Sequence, residues 1–260
     1  MTDQENSLAQ KLFDAWKNNA PLNMDECADI LNDFGAAYRV QERVAALKGE
    51  GTGGYKISLT SEQTQRMFGT NEPLYGENIP SHVLPSPCTL SLTDMNEPLI
   101  EVELAMTAKE DLTTGLSDEE LLSRVTIAGD IEVPDARFKA WFPKLNKYLV
   151  VADCAVSGYI LTGEAIDGAN LSVADLADIH VELTLDGAPL RSGDATEVLG
   201  NPINALQWLL KALARHGREL KAGTTVSTGT FFVPPKLVAG RYEATFSGAL
   251  NQTVTLIVED

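Results

Sequence analysis

The sequence predicts an α+β protein, in which a helical N-terminal part (residues 1–50) precedes a β-rich part (residues 51–260). Three observations support this prediction. Apolar residues recur at helical spacing through residue 47, short segments with a period of two predominate after residue 54, and few helical segments separate those strands. A doubly wound α/β sheet would instead require helices that alternate regularly with the strands.

Two helical segments are predicted in the N-terminal part. Residues 7–10 have the pattern of a capping box, and Pro21 ends the first segment. A similar pattern at 23–26 opens the second, whose apolar face continues to Leu47, either as one helix or as two helices broken near Gly35. The glycines that follow form a flexible joint before Lys56, and they lack the GxxxxGK[ST] spacing of a phosphate-binding loop.

Turn signals divide the β-rich part into short strands. Asp186-Gly187 lies between two alternating segments and is typical of a hairpin. Asn201 and Pro202 fit the cap and the first position of an amphipathic helix that His216-Gly217 closes. The last predicted strands are 225–233, 241–246 and 253–258.

Composition limits the classes of partner and the cellular compartment. The net charge of −17 repels phosphate backbones and anionic membrane surfaces, so no nucleic-acid or membrane partner is expected. Cys27, Cys88 and Cys154 are widely spaced and form no CxxC pair, which favours reduced thiols in the cytoplasm. No export signal or apolar segment of about 18 residues is visible.

Two acidic residues share one face of a predicted strand with the sequence Pro98-Leu-Ile-Glu-Val-Glu-Leu-Ala-Met106. Because side chains alternate along a strand, Glu101 and Glu103 point to the same side, with Cα atoms roughly 6.6 Å apart. Such a pair can bind one divalent cation. The alternative is an ordinary solvent-exposed face, where acidic residues are common.

Other acidic residues could complete a site, and the histidines offer no competing one. Glu132 near the end of another predicted strand could give a third carboxylate, and oxygen ligands select hard cations such as Mg²⁺ or Mn²⁺. Asp153 lies among apolar residues, where it is either a paired structural carboxylate or part of a site.

His82, His180 and His216 form no HxH or HExxH motif, and no GxSxG nucleophile elbow is present. Helix-end and strand positions favour structural roles for the latter two, whereas His82 lies in a proline-rich loop.

Several motifs, in order along the chain, resemble the fumarylacetoacetate hydrolase superfamily, in particular its branch of 2-keto-4-pentenoate hydratases and 4-oxalocrotonate decarboxylases. The segment 98–106 resembles the superfamily's ExE metal strand. Further matches are Ala37-Tyr38 with Gln41, Gly54-Tyr-Lys56-Ile-Ser-Leu-Thr-Ser61, Leu74-Tyr-Gly76, Ile131-Glu132-Val-Pro-Asp135-Ala-Arg137, Asp153-Cys-Ala-Val-Ser157-Gly158, Leu199-Gly-Asn-Pro-Ile-Asn-Ala-Leu-Gln-Trp208, Leu220-Lys-Ala-Gly223 and Gly229-Thr230.

The resemblance implies a β-rich, mixed-sheet fold with a helical N-terminal part, a homo-oligomer and a bound Mg²⁺ or Mn²⁺. It implies a lyase that acts on small 2-hydroxy-2,4-dienoate or 2-oxo-enoate acids from aromatic degradation. The implied metal ligands are Glu101, Glu103 and Glu132. Lys56 would transfer a proton, and Asp153 would orient Lys56 or the attacking water. The implied substrate-binding residues are Ser157, Thr230 and His82.

Three activities remain open within this resemblance. Hydration and 4-oxalocrotonate-type decarboxylation share a metal-stabilised enolate, so one metal site serves either reaction. The third possibility is a metal- or ligand-binding relative without catalysis. It is raised by departures from the family pattern, where 77–82 replaces the acidic residues common after Gly76, and Cys154 and Val156 replace the usual Asn and Ser.

Overall fold

The N-terminal part consists of two helices that pack against each other. A computed structural model describes residues 1–260, and its helices are α1 (Asp3–Asn18), α2 (Phe34–Lys48), α3 (Glu62–Phe68), α4 (Asp118–Ser123), α5 (Lys147–Ala152), α6 (Val173–Ala177) and α7 (Pro202–Arg215). The side chains of Thr2 and Asp33 cap α1 and α2. Both helices therefore begin outside the predicted patterns at 7–10 and 23–26. The side-chain oxygens of Thr2 and Asp33 accept hydrogen bonds from free N–H groups in the first turn of each helix.

Thirteen strands form the β-rich part. They are β1 (Gly54–Ser58), β2 (Leu74–Asn78), β3 (Val83–Pro85), β4 (Cys88–Ser91), β5 (Glu101–Ala108), β6 (Val125–Val133), β7 (Tyr159–Thr162), β8 (Ile166–Asp167), β9 (His180–Leu185), β10 (Ala188–Asp194), β11 (Thr225–Ser227), β12 (Gly240–Ser247) and β13 (Gln252–Glu259). The predicted hairpin at Asp186-Gly187 joins β9 to β10.

The strands belong to two mixed sheets. In the eight-stranded sheet the order is β2-β1-β11-β5-β6-β7-β3, with β8 paired to β6. The five-stranded sheet has the order β10-β9-β12-β13-β4. β5 and β6 lie at the centre of the larger sheet and pair antiparallel, while β1 joins β11 in parallel. This arrangement places β11, from late in the chain, next to the predicted metal strand and β1 one strand further away.

The main hydrophobic core lies between the two sheets and under α7. Val102 of β5, Leu209 of α7 and Phe246 of β12 belong to one buried cluster. Gly129 permits the close approach of the sheets, since a Cβ atom there would overlap the Phe246 ring. Burial of this continuous apolar surface is the main favourable term for such a fold.

A second buried cluster holds the N-terminal helices in place. It includes Leu8 of α1, Val40 of α2 and Leu149 of α5, so the N-terminal helices share their core with a helix from the later part of the chain. The division into residues 1–50 and 51–260 stays a prediction. No helix combines the length and the apolar character that a membrane crossing requires.

Candidate active site

Strand register brings the predicted carboxylates together. On neighbouring strands β5 and β6, Glu101 lies directly opposite Glu132, and Glu103 lies opposite Asp130. Residues that face each other in this way have Cβ atoms about 4.5–5.5 Å apart. One oxygen from each of Glu101, Glu103 and Glu132 lies within 4.8 Å of the others. The three predicted ligands therefore converge on one point.

Lys56 places one positive charge inside this cluster. Its Nζ atom lies 2.7 Å from Glu132 Oε1 and 3.4 Å from Glu101 Oε2, and its side chain is only 1% exposed. Burial lowers the pKa of the Lys56 ammonium, but the negative charges of Glu132 and Glu101 outweigh burial and raise this pKa above its ordinary value. Lys56 is thus held protonated by the carboxylates.

A fourth carboxylate, Asp130, joins the cluster through Ser227 of β11. The Ser227 Oγ atom lies 2.6 Å from Glu103 Oε2 and 2.7 Å from Asp130 Oδ2, and Gly229 N also donates to Glu103 Oε2. A hydroxyl carries one proton and can donate to only one of the two carboxylates. Burial is the largest cause that raises the pKa values of Glu103 and Asp130 well above their ordinary range, and the neighbouring carboxylates raise them further.

The donor set fits a hard divalent cation. Glu132 Oε2 and Asp130 Oδ1 are buried without a partner, and Glu132 Oε1 has only the Lys56 ammonium beside it. Buried oxygens without partners are costly, and four carboxylates face the one ammonium of Lys56. Burial raises the pKa of Glu132 well above its ordinary value, and the neighbouring carboxylates of Glu101 and Glu103 raise it further, against the lowering effect of Lys56. Mg²⁺ or Mn²⁺ would supply that charge and bind these oxygen ligands.

The cavity beside the cluster has a polar end and an apolar wall. Glu101, Glu103 and Lys56 line the polar end. Apolar side chains line the rest of the cavity and include Phe68, Leu99, Pro134, Trp141, Phe142, Val150, Val156 and Pro234. The Trp141 indole N–H donates to Glu97 O at 2.9 Å, which leaves its ring as an apolar surface. Among the lining residues, Lys56 alone is positively charged.

Thr230 lines this cavity, as its predicted role requires. Its hydroxyl donates to Phe232 O at 3.0 Å, and its two lone pairs remain available. Thr60, Ser61 and Thr64 add further hydroxyls to the lining, which the sequence did not single out.

Asp153 pairs with Arg137, and the structure does not bring it into contact with Lys56; its predicted alternative role, orienting the attacking water, stays a prediction. Arg137 Nε donates to Asp153 Oδ1 at 2.6 Å, and the backbone N–H of Arg137 donates to Asp153 Oδ2 at 2.8 Å. Both side chains are almost fully buried. Lys56 takes Glu132 and Glu101 as its partners instead. Of the two roles that the sequence left open for Asp153, these contacts match the paired structural carboxylate.

Sequence comparison identifies the family. No family model matches the chain. The chain is 32% identical over 252 residues to a 2-keto-4-pentenoate hydratase of Paraburkholderia phymatum, a match that covers 93% of each protein. The chain belongs to this hydratase family. Within the same group, a 4-oxalocrotonate decarboxylase of Pseudomonas putida is 29% identical over 221 residues, which cover 81% of this chain and 82% of the decarboxylase.

Structure comparison gives the same fold. The solved 4-oxalocrotonate decarboxylase of Pseudomonas putida G7, complexed with magnesium and adipate, superposes with a TM-score of 0.90 at 23% identity and covers 99% of this chain and 98% of that one. A fumarylpyruvate hydrolase of Pseudomonas aeruginosa, in complex with Mn²⁺ and pyruvate, has a TM-score of 0.61 at 15% identity and covers 79% of this chain and 88% of its own. The predicted α+β fold and superfamily are confirmed.

Two predicted substrate-binding residues of this hydratase family member lie away from the cluster. Ser157 and His82 line a separate cavity of about 230 Å³. The Ser157 hydroxyl donates to Glu77 O at 3.1 Å, and His82 Nδ1 donates to Gly158 O at 2.8 Å. Burial lowers the pKa of His82 to about 4, so the imidazole is neutral at neutral pH. The structure does not bring these two side chains to the candidate metal site.

A left-handed turn connects the two cavities. Cys154, Ala155 and Val156 have φ values of 53°, 50° and 54°, which non-glycine residues rarely adopt. The turn directs Val156 to the wall of the metal cavity, while Ser157 faces the other one. Gly76 lies against it so closely that a Cβ atom would overlap the carbonyl oxygen of Cys154. The departures from the family pattern at 154 and 156 therefore lie in this turn, and Val156 lies on the cavity wall.

Proposed function

We propose that this protein is a divalent-metal-dependent hydro-lyase that adds water to a 2-hydroxy-2,4-dienoate or its 2-oxo-enoate tautomer. The observation that carries this proposal is the convergence of Glu101, Glu103 and Glu132 on one point beside buried Lys56. Relatives named 2-keto-4-pentenoate hydratase and, in Comamonas testosteroni, 2-hydroxyhexa-2,4-dienoate hydratase support the reaction class.

The proposed metal ligands are Glu101, Glu103 and Glu132. A Mg²⁺ or Mn²⁺ ion held there supplies Lewis-acid stabilisation of the negative charge that develops on the substrate's 2-oxygen. Asp130 lies behind this set and, through Ser227, restrains Glu103. Such outer contacts orient ligands and tune their basicity.

Lys56 is the proposed proton-transfer group. In the overall reaction, the hydroxyl of water goes to C4, and C3 and C5 each gain a proton, one from the water and one from the enol hydroxyl. Lys56 Nζ lines the cavity beside the carboxylates, where it can deliver one of these protons to carbon. Cation binding to the same carboxylates would remove part of the charge that holds Lys56 protonated, and would ease this transfer.

Thr230 is proposed to hold the substrate, and Asp153 to support the cavity wall. Thr230 lies on the cavity near Glu103, where its hydroxyl can turn away from Phe232 O and donate instead to a carboxylate oxygen of a bound acid. Through its pair with Arg137, Asp153 fixes the start of the left-handed turn that carries Val156 and leads to Ser157. A role of His82 in substrate binding would require the second cavity to take part.

The charge of the cavity favours a substrate with one carboxylate. After Lys56 has paired with the cluster, no positive side chain on the lining remains to bind a second carboxylate, and the far wall is apolar. Burial of an unpaired carboxylate there would be costly. The second candidate, decarboxylation of a 2-oxo-3-enedioate, is favoured by the close fold similarity to the 4-oxalocrotonate decarboxylase.

The test is turnover by the purified protein with Mg²⁺ or Mn²⁺. We expect loss of the absorbance of 2-hydroxypenta-2,4-dienoate, dependent on the metal and abolished by Glu101→Gln. The exposed Glu182→Gln is the matched control and should keep full activity. Release of CO₂ from 4-oxalocrotonate without dienoate hydration would select the decarboxylase. No turnover across a panel of dienoates and oxalocrotonates, despite bound metal, would indicate that the protein is a metal- or ligand-binding relative without catalysis.

We also propose a cytoplasmic homo-oligomer without nucleic-acid or membrane partners. The net charge of −17 disfavours anionic partners, and all three cysteines are free thiols in the structure. Homo-oligomerisation follows from the family resemblance. Light scattering on the purified protein tests the number of subunits, and a monomer at micromolar concentration would contradict it.

A further inference from the structure

Thr60 occupies a special position at the end of β1. The strand that carries Lys56 ends at Ser58, and Leu59 then adopts a left-handed conformation with φ 61°. A leucine in this region is uncommon, and such backbone geometry often marks a functional site. The turn at Leu59 places Thr60 on the lining of the metal cavity.

The hydroxyl of Thr60 has a free donor. Thr60 is 4% exposed, and its hydrogen bond is made at its carbonyl oxygen, which accepts from Leu199 N at 3.2 Å. The other threonines on the cavity differ, since Thr64 Oγ1 donates to Ser61 O and Thr230 Oγ1 donates to Phe232 O. Thr60 Oγ1 is not one of the fully buried side-chain atoms that lack a partner, so it is open to the cavity, where a water molecule or an oxygen of a bound ligand can accept its hydrogen bond.

Gly229 places this hydroxyl beside the carboxylate cluster. A Cβ atom at Gly229 would overlap Thr60 Oγ1, so the hydroxyl lies directly against the Gly229 backbone. Gly229 N donates to Glu103 Oε2. Gly229 therefore lies between Thr60 and Glu103, a proposed metal ligand. The neutral Thr60 hydroxyl adds a hydrogen-bond donor to the polar end of the cavity, which is otherwise rich in acceptors.

We propose that Thr60 is a substrate-binding residue whose hydroxyl donates a hydrogen bond to an oxygen of the 2-oxo-acid end of the substrate. The inference rests on the proposed function for the identity of the ligand, a 2-oxo or 2-hydroxy acid held next to Glu103. Hydrogen bonds from a hydroxyl to an anionic oxygen are short and stronger than neutral ones, so this contact adds to affinity as well as orientation.

Calorimetry with pyruvate as the probe tests the contact without turnover. In Mn²⁺-saturated protein, Thr60→Val should weaken pyruvate binding roughly 10- to 100-fold, and Thr60→Ser should restore it, while Mn²⁺ affinity stays unchanged. Thr89→Val is the matched control, because Thr89 is an exposed threonine on β4 and does not line the cavity. Thr60→Ala serves as a second truncation if the valine variant does not fold.

Two results would overturn the role of Thr60. One is pyruvate affinity that matches wild type in both truncated variants, and the other is wild-type protein that binds Mn²⁺ but not pyruvate. Dienoate turnover by the same variants separates this inference from the proposed function. If Thr60→Val weakens pyruvate binding but the wild-type protein shows no turnover, the hydro-lyase is refuted and the binding role of Thr60 stands. If folded Thr60→Val has the wild-type kcat/KM, the hydro-lyase stands and the binding role of Thr60 is refuted.

Discussion

Replacement of Asp153 by Asn would separate a structural from a catalytic role for this carboxylate. Arg137 donates from Nε to Asp153 Oδ1, and its remaining nitrogens donate to the carbonyls of Asp153 and Ser157 at 2.9 and 2.8 Å. The side chains are 7% and 2% exposed, so water cannot replace the lost charge. The change keeps the shape of the side chain and removes the counter-charge of a buried guanidinium.

The expected cost is about 3–5 kcal/mol in the free energy of unfolding, the range for breaking a buried ion pair from one side. This is a large part of the roughly 5–15 kcal/mol that a typical protein has. Urea unfolding of the Mn²⁺-loaded protein, followed by circular dichroism, measures it. A double variant, Arg137→Met with Asp153→Leu, should recover only part of the loss, because it leaves no unpaired charge but removes the donors to the carbonyls of Asp153 and Ser157.

An exposed ion pair provides the control. Glu62 and Arg66 are 86% and 73% exposed, and Glu62→Gln should cost less than about 1 kcal/mol. The reasoning is refuted if Asp153→Asn has the wild-type free energy of unfolding and yet loses turnover by orders of magnitude. That result would restore the direct catalytic role that the sequence had indicated.

Three further predictions concern metal binding, pH and packing. Glu101→Gln and Glu103→Gln should each weaken Mn²⁺ binding in calorimetry by more than the roughly 10- to 100-fold that loss of an outer partner costs, and unchanged affinity would remove the metal site. The His82 pKa lies at about 4 in the fold, below its ordinary 6.5, so the unfolded chain binds the proton first as pH falls. The contribution of His82 to the free energy of unfolding should therefore drop by about 2 kcal/mol between pH 7.5 and pH 5, and urea unfolding of wild type and His82→Asn at the two pH values measures it as the difference between their slopes. Gly76→Ala should cost about 1–3 kcal/mol or more, because its Cβ would overlap Cys154 O, and a wild-type melting temperature would contradict this packing.

The sequence could predict which residues share a face, but it could not predict strand register. The period of two in a strand fixes Glu101 and Glu103 on one side. Asp130 shares parity with Glu132, and that signal could have identified it, but its position opposite Glu103 depends on how β5 and β6 align. The same limit applies to Ser227, which reaches the cluster because β11 lies between β1 and β5.

Side-chain partners over long distances were equally hidden. Arg137 and Asp153 are sixteen positions apart, and nothing in the local pattern indicates that this arginine, and not Lys56, pairs with the acid. Thr60 has an ordinary place after a predicted strand, and only the left-handed turn at Leu59 and the contact with Gly229 give it significance. The family resemblance identified residues of the site, whereas the contacts between those residues could be seen only in the folded structure.

The position of the carboxylates on β5 and β6 gives the cation a second consequence. These central strands of the larger sheet place like charges opposite each other, Glu101 against Glu132 and Glu103 against Asp130, and such pairs oppose strand pairing. A cation that binds only the folded chain adds RT ln(1 + [M]/Kd), which is about 4 kcal/mol at a thousandfold excess over Kd. A chelator would then act on folding as well as on turnover. The supply of metal would set how much of the protein is folded, and thereby how much survives proteolysis.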